Sequence, residues 1–206
     1  LILALAACTT PNTTPTPSAS PSTYAPPWFL HITRYWVPTR ALDLTSRDAT
    51  FIRALTESDG IARLSSAHAS VAYPGYVHAR ELHPLKLEPR RDPTSARPLA
   101  RTSRFIGAFH SDGNTATATI CVPGPGWSGE VLTYRRTGTP PPANQHGQHW
   151  YPIHNVFGDW QVLNDTEPAT DQPPSLAVRQ CASARIPEQS NPPNSPGWSW
   201  EPDPGA

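Results

Sequence analysis

Residues 104–122 read RFIGAFHSDGNTATATICV, and the fold class turns on them. Apolar and polar or small side chains alternate on both sides of Asp112-Gly113, the period of two that a strand requires. Asp-Gly is a pair that supplies the positive φ of a type I′ hairpin turn. A hairpin closed there predicts Phe109 opposite Ala116, Gly107 opposite Ala118 and Phe105 opposite Ile120 on an apolar face. Ile106, Ala108 and His110 then meet Thr119, Thr117 and Thr115 on a half-polar face. An antiparallel sheet with one side on a core needs that division.

Downstream, Glu130–Arg136 (EVLTYRR) predicts a third strand, followed by the loop TGTPPPANQHGQ. His149–Phe157 and Trp160–Leu163 predict a second hairpin around Gly158-Asp159, and Leu176–Ala182 (LAVRQCA) a last edge strand. Upstream the period becomes helical. Pro26 and Pro27 open a helix placing Trp28, Ile32, Tyr35 and Trp36 on one face, ended by Pro38. A second helix starts near Ser46 or Arg47, carries Phe51, Ile52 and Leu55, and breaks at Asp59-Gly60. Ile61–Leu64 is a further short apolar segment, and Gly75–His83 a fourth helical stretch. Residues 84–103 read as a linker. Helices first and strands after predict an α+β domain over 28–186, with N-terminal helices packed on a curved antiparallel sheet.

The chain has 206 residues and 27 prolines. Residues 9–27 and 187–206 are dense in Pro, Ser, Thr and Asn and predict disordered Pro-rich tails. Sixteen basic residues balance 16 acidic ones. The basic residues are scattered, with no stripe of the kind nucleic acid selects, so nucleic-acid binding is not expected. Leu1–Ala7 reads as the end of an apolar signal segment. Leu5-Ala6-Ala7-Cys8 resembles the bacterial lipobox, in which small residues precede a cysteine that receives a diacylglyceryl group. That resemblance makes Cys8 the lipidated first residue of a mature protein on the outer face of the cell membrane. Its acyl chains supply about 0.8 kcal/mol per buried CH₂. Residues 9–27 then form a tether stiffened by proline.

With a helical first half, an antiparallel meander and the late hairpin Gly158-Asp159-Trp160-Gln161-Val162, the chain resembles actinobacterial lipoproteins with an NTF2-like (SnoaL-like) domain. The resemblance implies a cone with a pocket between sheet and helices. Proteins of that family use the pocket for catalysis, ligand binding or protein contacts, so the fold alone does not select among them.

Outside the cytoplasm disulfides persist, and lipidation removes Cys8 from the count, which leaves Cys121 and Cys181 as a bridge. His146, His149 and His154 are the imidazoles closest to a metal set, but their spacing suits neither one helix face nor one strand face, and no metal is expected. Gly126-Trp127-Ser128-Gly129 ends in Glu130 and lacks the context of a nucleophile elbow. Acid/base chemistry would draw on Tyr134, Asp159 or Asp165, which nothing in the sequence brings together. Trp28, Trp36, Trp150 and Trp160 read as core; Trp198 and Trp200 read as tail residues outside it. The expectation is a non-enzymatic binder of a small apolar ligand or an envelope protein, without cofactor or assigned catalytic residue. A pocket enzyme using acid/base residues is the alternative.

Overall fold

The computed structural model describes residues 24–25, 34–64, 71–86, 102–123, 128–166, 176–183 and 196–199. Five strands lie in the order β1 (Arg34–Trp36), β2 (Thr102–Asp112), β3 (Thr115–Val122), β4 (Ser128–Arg135) and β5 (Gln161–Thr166). The helices are α1 (Arg47–Leu64), the single turn α2 (Tyr76–Ala79) and α3 (Leu176–Ser183). No helix among the described residues is long and apolar enough to cross a membrane.

The central hairpin forms, with two changes. Its loop is Gly113-Asn114, because Asp112 pairs with Thr115. Only Gly113 has positive φ, 52°, whereas a type I′ turn needs it at both central residues. The second change is a β-bulge between Ile106 and Ala108, after which Ile106 opposes Ile120 and Phe105 opposes Cys121. One extra residue rotates every side chain beyond it to the other face. Ile106 therefore joins Ala116, Ala118 and Ile120 in the main core, while Phe105 joins Val37, Cys121 and Cys181 on the opposite side. Gly107 marks the bulge. A Cβ there would lie 2.6 Å from Cys121 Sγ, so the site excludes any larger residue without movement.

The expected α+β cone, N-terminal helices packed on a curved antiparallel sheet, is not what forms. The sheet is mixed, because β1 runs parallel to β2. It is also open, with β1 and β5 at its edges. Tyr35-Trp36-Val37 were expected to end a helix. Trp36 and Val37 instead fall in clusters on opposite faces of the sheet, the alternation of a strand. The rest of that expected helix, residues 28–33, lies outside the described residues.

α1 starts where its sequence predicts. Ser46 Oγ accepts from the Ala49 N–H at 3.2 Å, the bond of an N-cap to the third helical residue. The helix does not stop at Asp59-Gly60. Glycine costs about 1 kcal/mol in a helix, and the burial of Ile61 and Ala62 immediately after it outweighs that. Phe51 of α1 packs on Tyr134 of β4, ring centres 4.7 Å apart, and edge-on to Phe157. Asp48 in its first turn accepts from Tyr134 Oη at 2.5 Å and from Arg136 Nε at 2.8 Å, tying the helix start to the end of β4.

The opposite face of the sheet carries α3, where a strand was expected. Seven residues of mixed apolar character do not separate a strand from a buried helix. Ala177 and Cys181, four apart, are buried while Leu176 is exposed, a helical period. Cys121 and Cys181 form a disulfide with Cα atoms 5.5 Å apart, which holds α3 on the sheet. The hairpin expected over 149–163 reduces to a turn: Trp160 N–H donates to Phe157 O, and β5 pairs with β4 alone.

Candidate functional site

Residues 71–80 pass over the C-terminal half of α1 and place two tyrosines on it. Tyr73 Oη donates to Glu57 Oε2 at 2.8 Å, and Tyr76 Oη donates to Asp59 Oδ1 at 2.6 Å. They line an open cleft of about 920 Å³ together with Ile153, His154, Asn155 and the exposed Val77 and His78. Tyr24 also lines it. Its hydroxyl donates to Val71 O at 2.8 Å, and its ring meets Tyr73 and Tyr151 edge-on at 6.0 and 5.9 Å. Burial pushes the Tyr24 and Tyr76 phenols well above their usual range, and the Asp59 carboxylate adds to the effect at Tyr76. Both therefore stay protonated donors near neutral pH.

Three acids converge from three elements. Oxygens of Asp59 on α1, Glu130 on β4 and Asp165 on β5 lie within 4.8 Å of one another, the one group of potential metal-ligating side chains that converges among the described residues. Arg80 is set between two of them. It donates from Nε to Asp59 Oδ1 at 3.1 Å, from Nη2 to Asp59 Oδ2, and from Nη1 to Asp165 Oδ2 at 2.6 Å. His83 Nε2 stands 2.7 Å from Asp165 Oδ1.

The electrostatics divide the three acids. Burial opposes ionisation of Asp165, but Arg80 and His83 outweigh it and hold its carboxyl below the usual range. Burial likewise opposes the charge of Arg80, and the Asp59 carboxylate outweighs it, so the guanidinium binds its proton more tightly. Glu130 goes the other way. Burial first, then the charges of Asp59 and Asp165, push it up to about 7, against the pull of Arg104. A carboxyl poised near neutrality beside an ionised one is the pattern of a general acid/base pair. Three hard oxygen donors also suit a divalent cation, but Arg80 already supplies positive charge there.

No family model, curated protein or solved structure matches this chain.

The residues singled out from the sequence fare unevenly. Cys121 and Cys181 are bridged as expected; Cys8 lies outside the described residues. His146, His149 and His154 do not converge on a metal: the one convergent group contains none of them. The three acid/base candidates are dispersed. Tyr134 donates to Asp48, Asp159 accepts from the Thr139 N–H at 2.7 Å in a turn, and Asp165 alone reaches the carboxylate cluster. Trp36 and Trp160 are core, but Trp150 is exposed and Trp198, expected outside any core, is 2% exposed. Trp28, Trp127 and Trp200 lie outside the described residues. Asp59, Arg80 and Tyr76 carried no local signal. Glu130 did: it occupies the apolar face of a strand, two and four residues before Leu132 and Tyr134, where an acid needs a reason.

Proposed function

We propose that the chain is a non-enzymatic envelope protein, held to the outer face of a membrane by lipid on Cys8, that binds a small, largely apolar ligand in the tyrosine-lined cleft. The observation that carries this reading is the direction of three hydroxyls. Tyr24 donates to Val71 O, Tyr73 to Glu57 and Tyr76 to Asp59. Each phenol is committed to the protein, and Tyr73 and Tyr76 are themselves buried, so a ligand there meets chiefly the half-buried Tyr24 ring and the exposed Val77. An apolar ligand then displaces water without breaking a hydrogen bond. The volume of about 920 Å³ falls within the range of small-molecule sites. His78, His154 and Asn155 leave polar groups for one end of the ligand. An extracytoplasmic address accords with the Cys121–Cys181 disulfide.

The experiment is a titration with a neutral, environment-sensitive dye such as N-phenyl-1-naphthylamine. Val77 lines the cleft and is 61% exposed, so Val77→Arg leaves the core untouched while adding a charge to the lining. Affinity should fall about tenfold or more. Equal affinity of parent and variant removes the cleft as the binding site.

A second reading rests on Glu130. With its carboxyl pushed up to about 7 beside the ionised Asp165, it is suited to exchange a proton near neutral pH. Chemical change of a bound ligand, followed by mass spectrometry and abolished by Glu130→Gln, favours that reading; an unchanged ligand favours simple binding.

A further inference from the structure

Residues 196–199 pack on the body of the protein and bury a single large side chain, Trp198. The Trp198 indole N–H donates to Glu57 Oε2 at 3.0 Å, the Arg53 guanidinium lies 4.4 Å from the indole ring centre, and the Tyr73 ring meets it edge-on at 5.7 Å. The backbone is held as well. Gly147 N–H donates to Pro196 O at 2.9 Å, Trp198 N–H to His149 O at 3.0 Å, and Arg53 Nη2 to Gly197 O at 2.5 Å. A main-chain register combined with one deep side-chain slot is how folded proteins hold short peptides.

The slot is built without its occupant. Glu57 Oε1 accepts from Trp36 Nε1 at 3.0 Å, and Oε2 accepts from Tyr73 Oη. Arg53 Nη1 donates to Leu44 O and Gln145 O, both at 3.0 Å. Removing residues 196–199 would cost Glu57 one donor and Arg53 one acceptor, and would leave neither charge without a partner. The polar wall of the slot therefore stays held by the body of the protein, which lowers the cost of filling it again. Selectivity is also legible. Gly197 has φ 73°, and a Cβ on it would lie 2.1 Å from Gly147 O, so only glycine precedes the tryptophan. The indole N–H meets a carboxylate that phenylalanine could not satisfy.

We infer that Arg53, Glu57, Tyr73 and the 147–149 backbone form a binding site for a Gly-Trp peptide, which the chain's own segment 196–199 fills in cis. Tethering gives that segment a high effective concentration, so an external peptide competes only when the internal one is weakened or cut.

The test uses the full chain with Trp198→Ala and a synthetic peptide of residues 194–202, NSPGWSWEP. Saturable binding and a rise in melting temperature are expected. The same peptide carrying alanine for its first tryptophan should bind about tenfold more weakly or worse. No binding to a folded Trp198→Ala chain overturns the site. Should that variant not fold, the full chain is given a protease site between residues 187 and 193 and cut after folding. Excess peptide should then exchange with the tail fragment on gel filtration. A fragment that does not exchange, or that leaves without the peptide taking its place, also overturns the inference.

Discussion

Glu130 and Asp165 bring carboxylate oxygens within 4.8 Å of each other from adjacent strands, and their proton affinities are driven in opposite directions. The raised group keeps its proton in the folded state up to about 7 and loses it in the unfolded chain near 4.5. Between those values the folded state binds more protons, so stability falls as pH rises across that window. Asp165 works on the acid side: its depressed value contributes stability above the unfolded carboxylate range, lost as pH falls through its folded value. Glu130→Gln should match the parent near pH 4.5 and exceed it by about 1–3 kcal/mol at pH 8. Urea melts at the two pH values check this, and parallel pH profiles of parent and variant would refute it.

Arg80 neutralises Asp59 and Asp165 where all three are largely withdrawn from water. Arg80→Met leaves Asp59 without its cation and Asp165 with His83 as its remaining partner, and should destabilise by about 3–5 kcal/mol. Adding Asp59→Asn and Asp165→Asn should recover a large part of that loss. A triple variant as unstable as the single one would mean that the arginine acts through packing alone.

Gly107 and the disulfide form one packing unit, since a Cβ at 107 would lie 2.6 Å from Cys121 Sγ. Gly107→Ala should cost about 1–3 kcal/mol in the oxidised protein. In a Cys121→Ala, Cys181→Ala background, where the sulfur is gone, its further cost should shrink by more than half. Removing the bridge itself should cost about 2–4 kcal/mol, given the 60 residues it closes. A double-mutant cycle with no coupling would separate the two features.

Cys8→Ser is predicted to move the protein from the membrane fraction to the soluble one, and globomycin to block maturation of the parent. An unchanged membrane fraction in Cys8→Ser counts against lipid anchoring.

Where a structural cue is local, the residues carry it by themselves. The alternation around Asp112-Gly113 specifies the β2–β3 hairpin, because side-chain period and a positive-φ turn act within a few residues. Ser46 and Asp48 mark the start of α1 for the same reason. The cysteine count, with an extracytoplasmic expectation, names the bridge. Of the carboxylate cluster, Asp165 stands among the acid/base candidates of the sequence, and Glu130 carries a cue of its own as an acid on a strand's apolar face.

The remaining features needed distant segments to meet. The bulge at Gly107 depends on Cys121 approaching across the strand, so the face of Phe105 could not follow from alternation alone. Whether Leu176–Ser183 is helix or strand depends on what Ala177 and Cys181 find beneath them. β1 becomes a strand because β2, nearly seventy residues later, offers it a parallel edge. Asp59, Arg80 and Asp165 lie in three separate stretches, and Trp198 reaches Glu57 across 141 residues. Sequence by itself determined the place of the central hairpin, the start of α1 and the thiol pair; tertiary contact decided the turn residues and register, sheet parity, the acid cluster and the fate of the C-terminal tryptophan. Burial and charge compensation act through space, and they select among the conformations that local propensity leaves open.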